Sequence, residues 1–204
     1  MTGLCSRRTL LTIAGAAAVS SITAAHAADG KTSKPAKRTW PDMPTVPTDF
    51  NAERCFVELQ DAGDGVVFQG PKNGPVVRLA FDTQCPWCVW QYEQLKPFLK
   101  QVTFIWHPVA VLNPWSELQG AAILSAKDRK AKFLEHEAHF HDKDFRGLDV
   151  RNVELPFDAR KKVWDYSKAF RRACGISVPF GVLKTTDGRY LSLIHISEPT
   201  RPIS

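Results

Sequence analysis

Outside its N-terminal leader, the 204-residue sequence has no apolar run long enough to cross a membrane, and it has no internal repeat. An excess of charge of one sign is also missing from the part expected to fold. Seven of the 27 basic residues but only two of the 21 acidic residues lie outside Trp40–Tyr190, which leaves 20 basic and 19 acidic residues inside it. This balance gives no indication of nucleic-acid binding. Length and composition instead fit one globular domain with appendages.

The first 27 residues have the pattern of an export signal. A short basic segment, CSRRTL, precedes the apolar core LLTIAGAAAVSSITA, which is too short to span a bilayer comfortably. The small residues Ala25 and Ala27 suit a signal peptidase, so we expect cleavage before Ala28 and a periplasmic mature protein. The stretch SRRTLL is similar to a twin-arginine leader, but Leu10 and Thr12 depart from that pattern, so the general secretory route stays open.

Four cysteines remain after this cleavage, namely Cys55, Cys85, Cys88 and Cys174. Disulfides persist in exported proteins, and an even count suits one redox-active pair and one structural pair. Cys85 and Cys88 form the single Cys-x-x-Cys of the sequence. Cys55 and Cys174 are candidates for a structural disulfide, while a buried thiol at Cys174 is equally compatible with the sequence.

Three stretches lead up to this motif. Residues 28–50 are rich in proline, threonine and lysine, which predicts an extended linker. In the segment 51–74, RCFVELQ and VVFQG are predicted strands, and DAGDG suits the tight turn of a hairpin between them. The apolar run PVVRLAFD, Pro75–Asp82, predicts a strand that is buried on both faces of a sheet.

Strand and helix patterns alternate from this run to residue 190. Helical spacing begins after Cys85, with a predicted kink at Pro97, and VTFIWHPVAV is a second buried strand. Two helices are predicted after the cap residue Asn113, and PFDARKKVWDYSKAFRRACG predicts another helix. PFGVLKTTDGRYL then predicts two strands joined by a tight turn. The order predicts an α/β domain over residues 75–190.

The C-terminal stretch LSLIHISEPTR, Leu191–Arg201, can be back-translated into the sequence of a widely used transposase sequencing adapter. A match over the whole stretch makes coincidence implausible. We therefore expect residues 191–204 to be a non-native tail that replaces the native sequence near Tyr190. His195 accordingly receives no functional interpretation.

The stretch AFDTQCPWCVWQYEQL places two cysteines after a buried strand and at the start of a helix. Unpaired backbone N–H groups and the positive end of the helix dipole favour a thiolate there, and such placement lowers a cysteine pKa from about 8.5 to roughly 3.5–7.5. Cys85 is therefore predicted to be the exposed nucleophile, and the less exposed Cys88 is predicted to resolve the mixed disulfide. Pro86 suits the first helical turn, and Trp87 supplies apolar surface beside the nucleophile.

A metal site is one alternative for the two cysteines. Zinc needs two more ligands at workable spacing, and no second Cys-x-x-Cys exists. His136, His139 and His141 cluster in HEAHFHD, but we expect them on an exposed helix in contact with solvent, so no metal is predicted. Two unreactive core cysteines are the other alternative.

A second motif, GISVPF at Gly175–Phe180, resembles the thioredoxin-fold loop in which a cis proline faces the Cys-x-x-Cys. The cis bond here would be Val178–Pro179. A cis proline exposes the preceding backbone for pairing with an extended peptide. Val178 and Pro179, with Pro86 and Trp87, are therefore the predicted substrate-binding residues. A trans proline at the start of a strand is the alternative.

With both motifs placed, the chain resembles the periplasmic thiol:disulfide interchange proteins of the DsbC/DsbG group in the thioredoxin superfamily. The resemblance runs from about Val67 to Tyr190 and includes FQGPKNGPVVRLAFDTQCPWC, HPVAVLNPWSELQGAAILSAKD and ACGISVPFGVLKTTDG. The middle segment matches the helical insertion of the group, expected at about 114–173, and favours DsbG over a plain thioredoxin. The resemblance implies a thioredoxin fold, a redox pair at Cys85 and Cys88, and cysteine-containing periplasmic proteins as substrates, with no bound cofactor.

Three features depart from the group. Residues 28–74 are too few for its N-terminal dimerisation domain and linker helix, so the oligomeric state is left open. Val178 stands where the group more often has Thr, which is similar to DsbA-type oxidases, and the closing helix of the fold is missing. The first hypothesis is a DsbG-like reductase or isomerase kept reduced by a membrane partner of the DsbD type. A monomeric DsbA-like oxidase with a DsbB-type partner, and a redox-inactive binding or chaperone module, stay open.

Overall fold

Five strands form one mixed sheet in the computed structural model of the chain, which describes residues 50–175 and 177–193. The strands are β1 (Val66–Phe68), β2 (Val76–Phe81), β3 (Thr103–Pro108), β4 (Phe180–Lys184) and β5 (Tyr190–Ser192). Their spatial order is β1-β3-β2-β4-β5, in which β2 and β3 run parallel and the other neighbours run antiparallel. The predicted buried strand over 75–82 is therefore the central strand β2.

Helices precede and connect these strands. They are α1 (Ala52–Ala62), α2 (Pro86–Leu95), α3 (Pro114–Ser125), α4 (Arg129–Ala138) and α5 (Phe157–Ala173). A 3-10 turn, Lys96–Phe98, continues α2. The change of helix type falls at the predicted kink, because Pro97 has no N–H to donate and its ring crowds the preceding turn. No helix among the described residues is long and apolar enough to cross a membrane.

The central strand contributes to two hydrophobic cores, because successive side chains of a strand point to opposite faces of the sheet. Leu79 packs in the same core as Tyr92 of α2 and Phe133 of α4. Ala80 packs in the other core, with Phe170 of α5 and residues of α1. The helices α2 and α4 therefore cover one face, and α1 and α5 cover the other. The predicted α/β fold class is confirmed, and α1 and β1, which precede residue 75, also belong to these cores.

The hairpin predicted for residues 51–74 is wrong in its first half. RCFVELQ lies in α1, whose N-terminal cap Asn51 accepts a hydrogen bond from the N–H of Arg54 at 2.8 Å. Cys55, Phe56 and Leu59 share one helical face and are buried, so packing on α5 outweighs the strand preference of the aromatic and β-branched residues. The second half of the prediction holds, but β1 pairs with β3.

The last described strand overlaps the stretch expected to be non-native. In β5, Leu191 pairs with Leu183 and Ser192 pairs with Val182 of β4. An apolar, alternating segment can add to a sheet edge whatever its origin. The export signal at 1–27, the linker apart from Phe50, and residues 194–204 of the tail lie outside the described residues, so those expectations stay predictions.

Candidate active site

Cys85 and Cys88 lie where β2 gives way to α2. Cys85 is the N-terminal cap of α2, and Pro86 occupies the first helical position. The carbonyl of Cys85 accepts the first helical hydrogen bond, from the N–H of Cys88 at 3.1 Å. No side chain caps α2, and the backbone N–H groups of Trp87 and Cys88 in its first turn lie near the sulfur of the cap residue. The structure thus places the two cysteines on consecutive turns at a helix N-terminus.

Both thiols are buried, which corrects the expectation that Cys85 is exposed. The exposed fraction is 4% for Cys85 and 2% for Cys88, and neither is in a disulfide. The cover over Cys85 comes from the chain before β4, where the carbonyl oxygen of Val178 lies 3.6 Å from its Sγ. Val178 also packs against the core that contains both cysteines. Sequence spacing alone does not show this segment closing over the helix start.

The two thiols differ strongly in pKa. A hydrogen bond from the Cys88 thiol, together with backbone hydrogen bonds at Cys88 and Trp87, lowers the pKa of Cys85 to about 7 against an opposing desolvation effect. Burial raises the pKa of Cys88 well above its ordinary value, and the neighbouring Cys85 raises it further. The direction matches the nucleophile and resolving roles predicted from the sequence. At neutral pH Cys85 is about half thiolate.

The segment that faces Cys85 has the expected backbone geometry and a covalent anchor at its base. The peptide bond between Val178 and Pro179 is cis. Cys174, at the end of α5, forms a disulfide with Cys55 of α1, so the alternative of a free buried thiol at this position is not realised. Both sulfur-bearing residues are buried. The disulfide joins two helices of one core, and Val178, which contacts Cys85, follows Cys174 by four residues.

Solved structures similar to this chain share the same arrangement of sheet and helices. One is a linker-deletion mutant of ScsC from Proteus mirabilis, with 18% identity and a TM-score of 0.52 over 69% of this chain and 74% of that one. Another is a periplasmic thioredoxin-like protein from Salmonella enterica serovar Typhimurium, with 15% identity and a TM-score of 0.51 over 64% of this chain and 83% of that one. Helicobacter pylori DsbG matches at 21% identity and a TM-score of 0.50, over 64% of this chain and 59% of that one. The chain has a thioredoxin fold.

Sequence comparison adds no family to this result. No family model matches the chain, and no curated protein matches it. The structural neighbours include ScsC and a thioredoxin-like protein as well as DsbG. A thioredoxin fold is therefore established, while a DsbG-like specificity stays a prediction.

A buried carboxylate organises the thioredoxin-fold loop that leads to Cys85. Asp82, directly after β2, accepts hydrogen bonds from the N–H of Gln84 at 2.8 Å and from the Ser116 hydroxyl at 2.6 Å through Oδ1. Its Oδ2 accepts from the N–H groups of Val111 and Leu112 at 2.9 and 3.0 Å. Four donors converge on one side chain that is 1% exposed. Asp82 therefore joins the strand end to the start of α3.

The residue before the nucleophile is fixed in a similar way. The Gln84 side chain donates to Oε1 of Gln119 at 2.6 Å and accepts from Asn113 at 3.4 Å. Gln119 in turn donates to the carbonyls of Arg146 and Leu148 at 2.6 and 2.8 Å. The segment after α4 is thereby tied to α3 and to the Cys85 loop. No motif in the sequence indicates this set, because isolated Gln and Asn residues carry no spacing pattern.

His136 lies inside the site and not in contact with solvent. The sequence predicts an exposed helix face for it, but the side chain is completely buried. Its Nε2 lies 3.0 Å from the carbonyl oxygen of Thr83, and its Nδ1 accepts from the N–H of Leu148 at 3.4 Å. His139 does lie in contact with solvent and pairs with Asp142. The difference arises because His136 shares the inward face of α4 with Phe133.

No group of three or more His, Cys, Asp or Glu residues within 50–175 and 177–193 could hold a metal ion. The imidazole of His136 already contacts backbone groups through both nitrogens, and His139 contacts Asp142. Both His136 and His139 are therefore occupied by local contacts.

Two tryptophans form an exposed apolar surface on α2. Trp87 is 58% exposed, and its ring meets that of Trp90 edge to face at a centroid distance of 6.2 Å. Trp87 stands between the two cysteines in sequence, and its role in substrate binding stays a prediction. Such an exposed pair offers area to an apolar ligand segment.

Proposed function

We propose that this chain is an exported thiol-disulfide oxidoreductase that exchanges disulfides with protein thiols through Cys85 and Cys88. The observation that carries the proposal is the opposite shift of the two thiol pKa values at one helix N-terminus. A thiolate is the attacking species in disulfide exchange, and a pKa near ambient pH combines thiolate population with nucleophilicity. The cap position of Cys85 on α2 and the cis Val178–Pro179 bond beside its sulfur support the same proposal.

The proposed reaction proceeds by two exchanges. The Cys85 thiolate attacks one sulfur of a substrate disulfide, so that a mixed disulfide forms and the other substrate sulfur leaves as a thiolate, which takes up a proton. The Cys88 thiol then loses its proton and attacks Sγ of Cys85, which releases the second substrate thiolate. The substrate gains two electrons and the protein ends with a Cys85–Cys88 disulfide. The same steps in reverse oxidise a substrate dithiol.

The Cys85 pKa favours the reductase or isomerase direction. Its value of about 7 is similar to the ~7 of thioredoxin and well above the ~3.5 of the strong oxidant DsbA. A less stabilised thiolate gives a less stable reduced form and hence a more reducing pair. A DsbG-like reductase or isomerase, kept reduced by a membrane partner of the DsbD type in the periplasm, is therefore the first candidate. The DsbA-like oxidase with a DsbB-type partner is the second candidate, because a valine before the proline, here Val178, is similar to DsbA-type oxidases.

Substrate binding is assigned to the surface around the cysteine pair. The backbone of Val178 and Pro179 faces Cys85, and Pro86 and Trp87 lie at the start of α2. An extended peptide laid along this segment would bring its own sulfur to Sγ of Cys85. The exposed ring of Trp87 would contact apolar side chains beside that sulfur.

A trapping experiment tests the activity. The Cys88→Ala variant should accumulate mixed disulfides with a model protein disulfide, because the resolving thiol is absent, whereas Cys85→Ala should accumulate none. A reduction potential measured against glutathione then separates the directions: a value near about −120 mV indicates an oxidase, and a clearly more negative value indicates a reductase or isomerase. Failure of the wild-type protein to exchange with any dithiol or disulfide would leave the redox-inactive binding module.

A further inference from the structure

The loop between β2 and Cys85 is held from the helical region by a buried imidazole. Thr83 and Gln84 are the two residues between Asp82 and the nucleophile, and Thr83 is 1% exposed. The carbonyl oxygen of Thr83 contacts Nε2 of His136 at 3.0 Å. Because a carbonyl only accepts hydrogen bonds, Nε2 must carry the hydrogen. The N–H of the Thr83–Gln84 peptide plane donates to Asp82. The donor to its carbonyl belongs to α4, more than fifty residues further along the chain.

The other imidazole nitrogen is equally determined. The N–H of Leu148 points at Nδ1 of His136 at 3.4 Å, so Nδ1 must accept. The ring is thus a neutral Nε2–H tautomer with both nitrogens in use. Protonation would place an N–H at Nδ1 against the N–H of Leu148, and the buried ring has no solvent to receive it.

The backbone around His136 is shaped to its ring. A Cβ added at Gly147 would overlap Cε1 and Nδ1 of His136, and Gly147 has a φ of 74°, which glycine adopts without strain. The N–H of Gly147 donates to the carbonyl of His139 at 3.0 Å. On its other side, Arg146 donates to the carbonyl of Gln84 at 3.3 Å. The segment 146–148 therefore clamps His136 and the Cys85 loop together.

We propose that His136 is a positioning residue for Cys85, which sets the thiolate population of the nucleophile by fixing the Thr83 carbonyl. The thiolate depends on hydrogen bonds from the Cys88 thiol and from the N–H groups of Trp87 and Cys88. Those contacts require Sγ of Cys85 to stay at the cap position of α2, and that position follows from the peptide planes that precede it. The purpose of this positioning rests on the proposed function, but the pKa of Cys85 can be measured without any substrate.

Two amide substitutions separate the donor role of His136 from its packing role. In His136→Gln, a side-chain N–H₂ can reach the Thr83 carbonyl in place of Nε2. In His136→Asn, the shorter amide can meet the N–H of Leu148 but leaves the Thr83 carbonyl without its donor. His139→Gln, at the exposed C-terminal cap of α4 three residues away, is the matched control.

The readout is the rate of Cys85 alkylation against pH in the reduced protein. We expect His136→Asn to raise the Cys85 pKa by about half to one unit toward the free-cysteine value of ~8.5, which slows alkylation at neutral pH roughly two- to fivefold. His136→Gln should restore the wild-type profile, and His139→Gln should not change it. An unchanged profile in His136→Asn, or equal shifts in the Gln and Asn variants, would overturn the positioning role.

A measurement on the unaltered protein covers the case in which the variants do not fold. Nitrogen NMR shifts of the His136 imidazole should report the Nε2–H tautomer at neutral pH, and they should move when Cys85 and Cys88 are oxidised, while those of His139 should not. An Nδ1–H tautomer, or shifts that are insensitive to the redox state, would contradict the proposal. If the tautomer and the coupling are found but the wild-type protein exchanges no disulfides, the proposed function fails and the positioning of Cys85 stands.

Discussion

The two cysteines differ in pKa because their sulfur atoms have different neighbours, although they are almost equally buried. Cys85 Sγ receives hydrogen bonds from the Cys88 thiol and from backbone N–H groups of the first helical turn. Desolvation is the largest influence on Cys88, because its sulfur lies deeper in the core and its thiol donates to Cys85. Burial alone would raise both values, so hydrogen bonds account for the lowered pKa of Cys85, and burial is the main cause of the raised pKa of Cys88.

The first prediction concerns the order in which the thiols react. In the reduced protein, a small alkylating agent should modify Cys85 with a pH dependence centred near pH 7, and Cys88 should stay unmodified until well above that pH. Mass spectrometry of the alkylated protein, digested after reaction at several pH values, measures both sites at once. Earlier modification of Cys88, or a Cys85 profile like that of a free cysteine near ~8.5, would reverse the roles.

The second prediction concerns Asp82, whose two oxygens accept four hydrogen bonds. In Asp82→Asn, one accepting oxygen becomes an N–H₂ group that faces backbone donors, so at least one buried N–H loses its partner. We expect the free energy of unfolding to fall by about 2–3 kcal/mol, measured by urea denaturation. Asp142→Asn, at an exposed carboxylate, should stay within about 0.5 kcal/mol of wild type. A similar small change in both variants would show that the Asp82 contacts contribute little.

At the scale of elements, the sequence predicted those parts whose pattern is local. The β2 run, the Asn113 cap and the long amphipathic α5 were identifiable because each carries its own periodicity or cap residue. α1 was mistaken for a strand because RCFVELQ is short and its helical face becomes apparent only when α5 covers it. The buried position of His136 depends on α4 meeting the Thr83 loop, a contact between segments far apart in sequence. No local pattern reports such contacts.

The third prediction concerns the link between α1 and α5. The Cys55–Cys174 disulfide spans 119 residues, and cross-links that close long loops typically stabilise the folded state by about 2–5 kcal/mol. In a Cys85→Ser/Cys88→Ser background, a strong reductant should therefore lower the urea midpoint of unfolding. Adding Cys55→Ala/Cys174→Ala should make the midpoint insensitive to reductant. A midpoint that does not respond to reductant in the first background would mean that the disulfide does not contribute to stability.

At the scale of the whole molecule, buried ionisable groups act on stability in opposite directions. Burial lowers the pKa of His136 to about 4 and that of His107 well below its usual range. The unfolded chain binds these protons below about pH 6.5 and the folded protein does not, so stability decreases as pH falls through that range. Burial raises the pKa of Glu137 to about 8. The folded protein keeps this proton above pH ~4.5 while the unfolded chain releases it, so stability decreases as pH rises toward 8.

The fourth prediction isolates the Glu137 contribution. Oε2 of Glu137 is buried without a hydrogen-bond partner among the described residues, Glu93 raises its pKa further, and Lys96 opposes the shift. The Glu137→Gln substitution removes the carboxyl group that titrates. The variant should therefore gain stability relative to wild type as pH rises from about 4.5 to 8, by on the order of 3 kcal/mol in total, and the gain should level off above pH 8.

The test is specific because it uses the difference in unfolding free energy between wild type and Glu137→Gln, which share all other titratable groups. Wild-type stability alone cannot show the Glu137 effect. The lowered pKa values of His136 and His107 make stability increase with pH between about 4.5 and 6.5, and the lowered pKa of Cys85 does the same above pH 7 in the reduced protein. These contributions cancel in the difference between wild type and Glu137→Gln. Glu135→Gln, at an exposed carboxylate on the same helix, is the matched control. A flat difference for Glu137→Gln would mean that the carboxyl is solvated and ionised at neutral pH, and that α4 packs on α2 less closely than the structure has it.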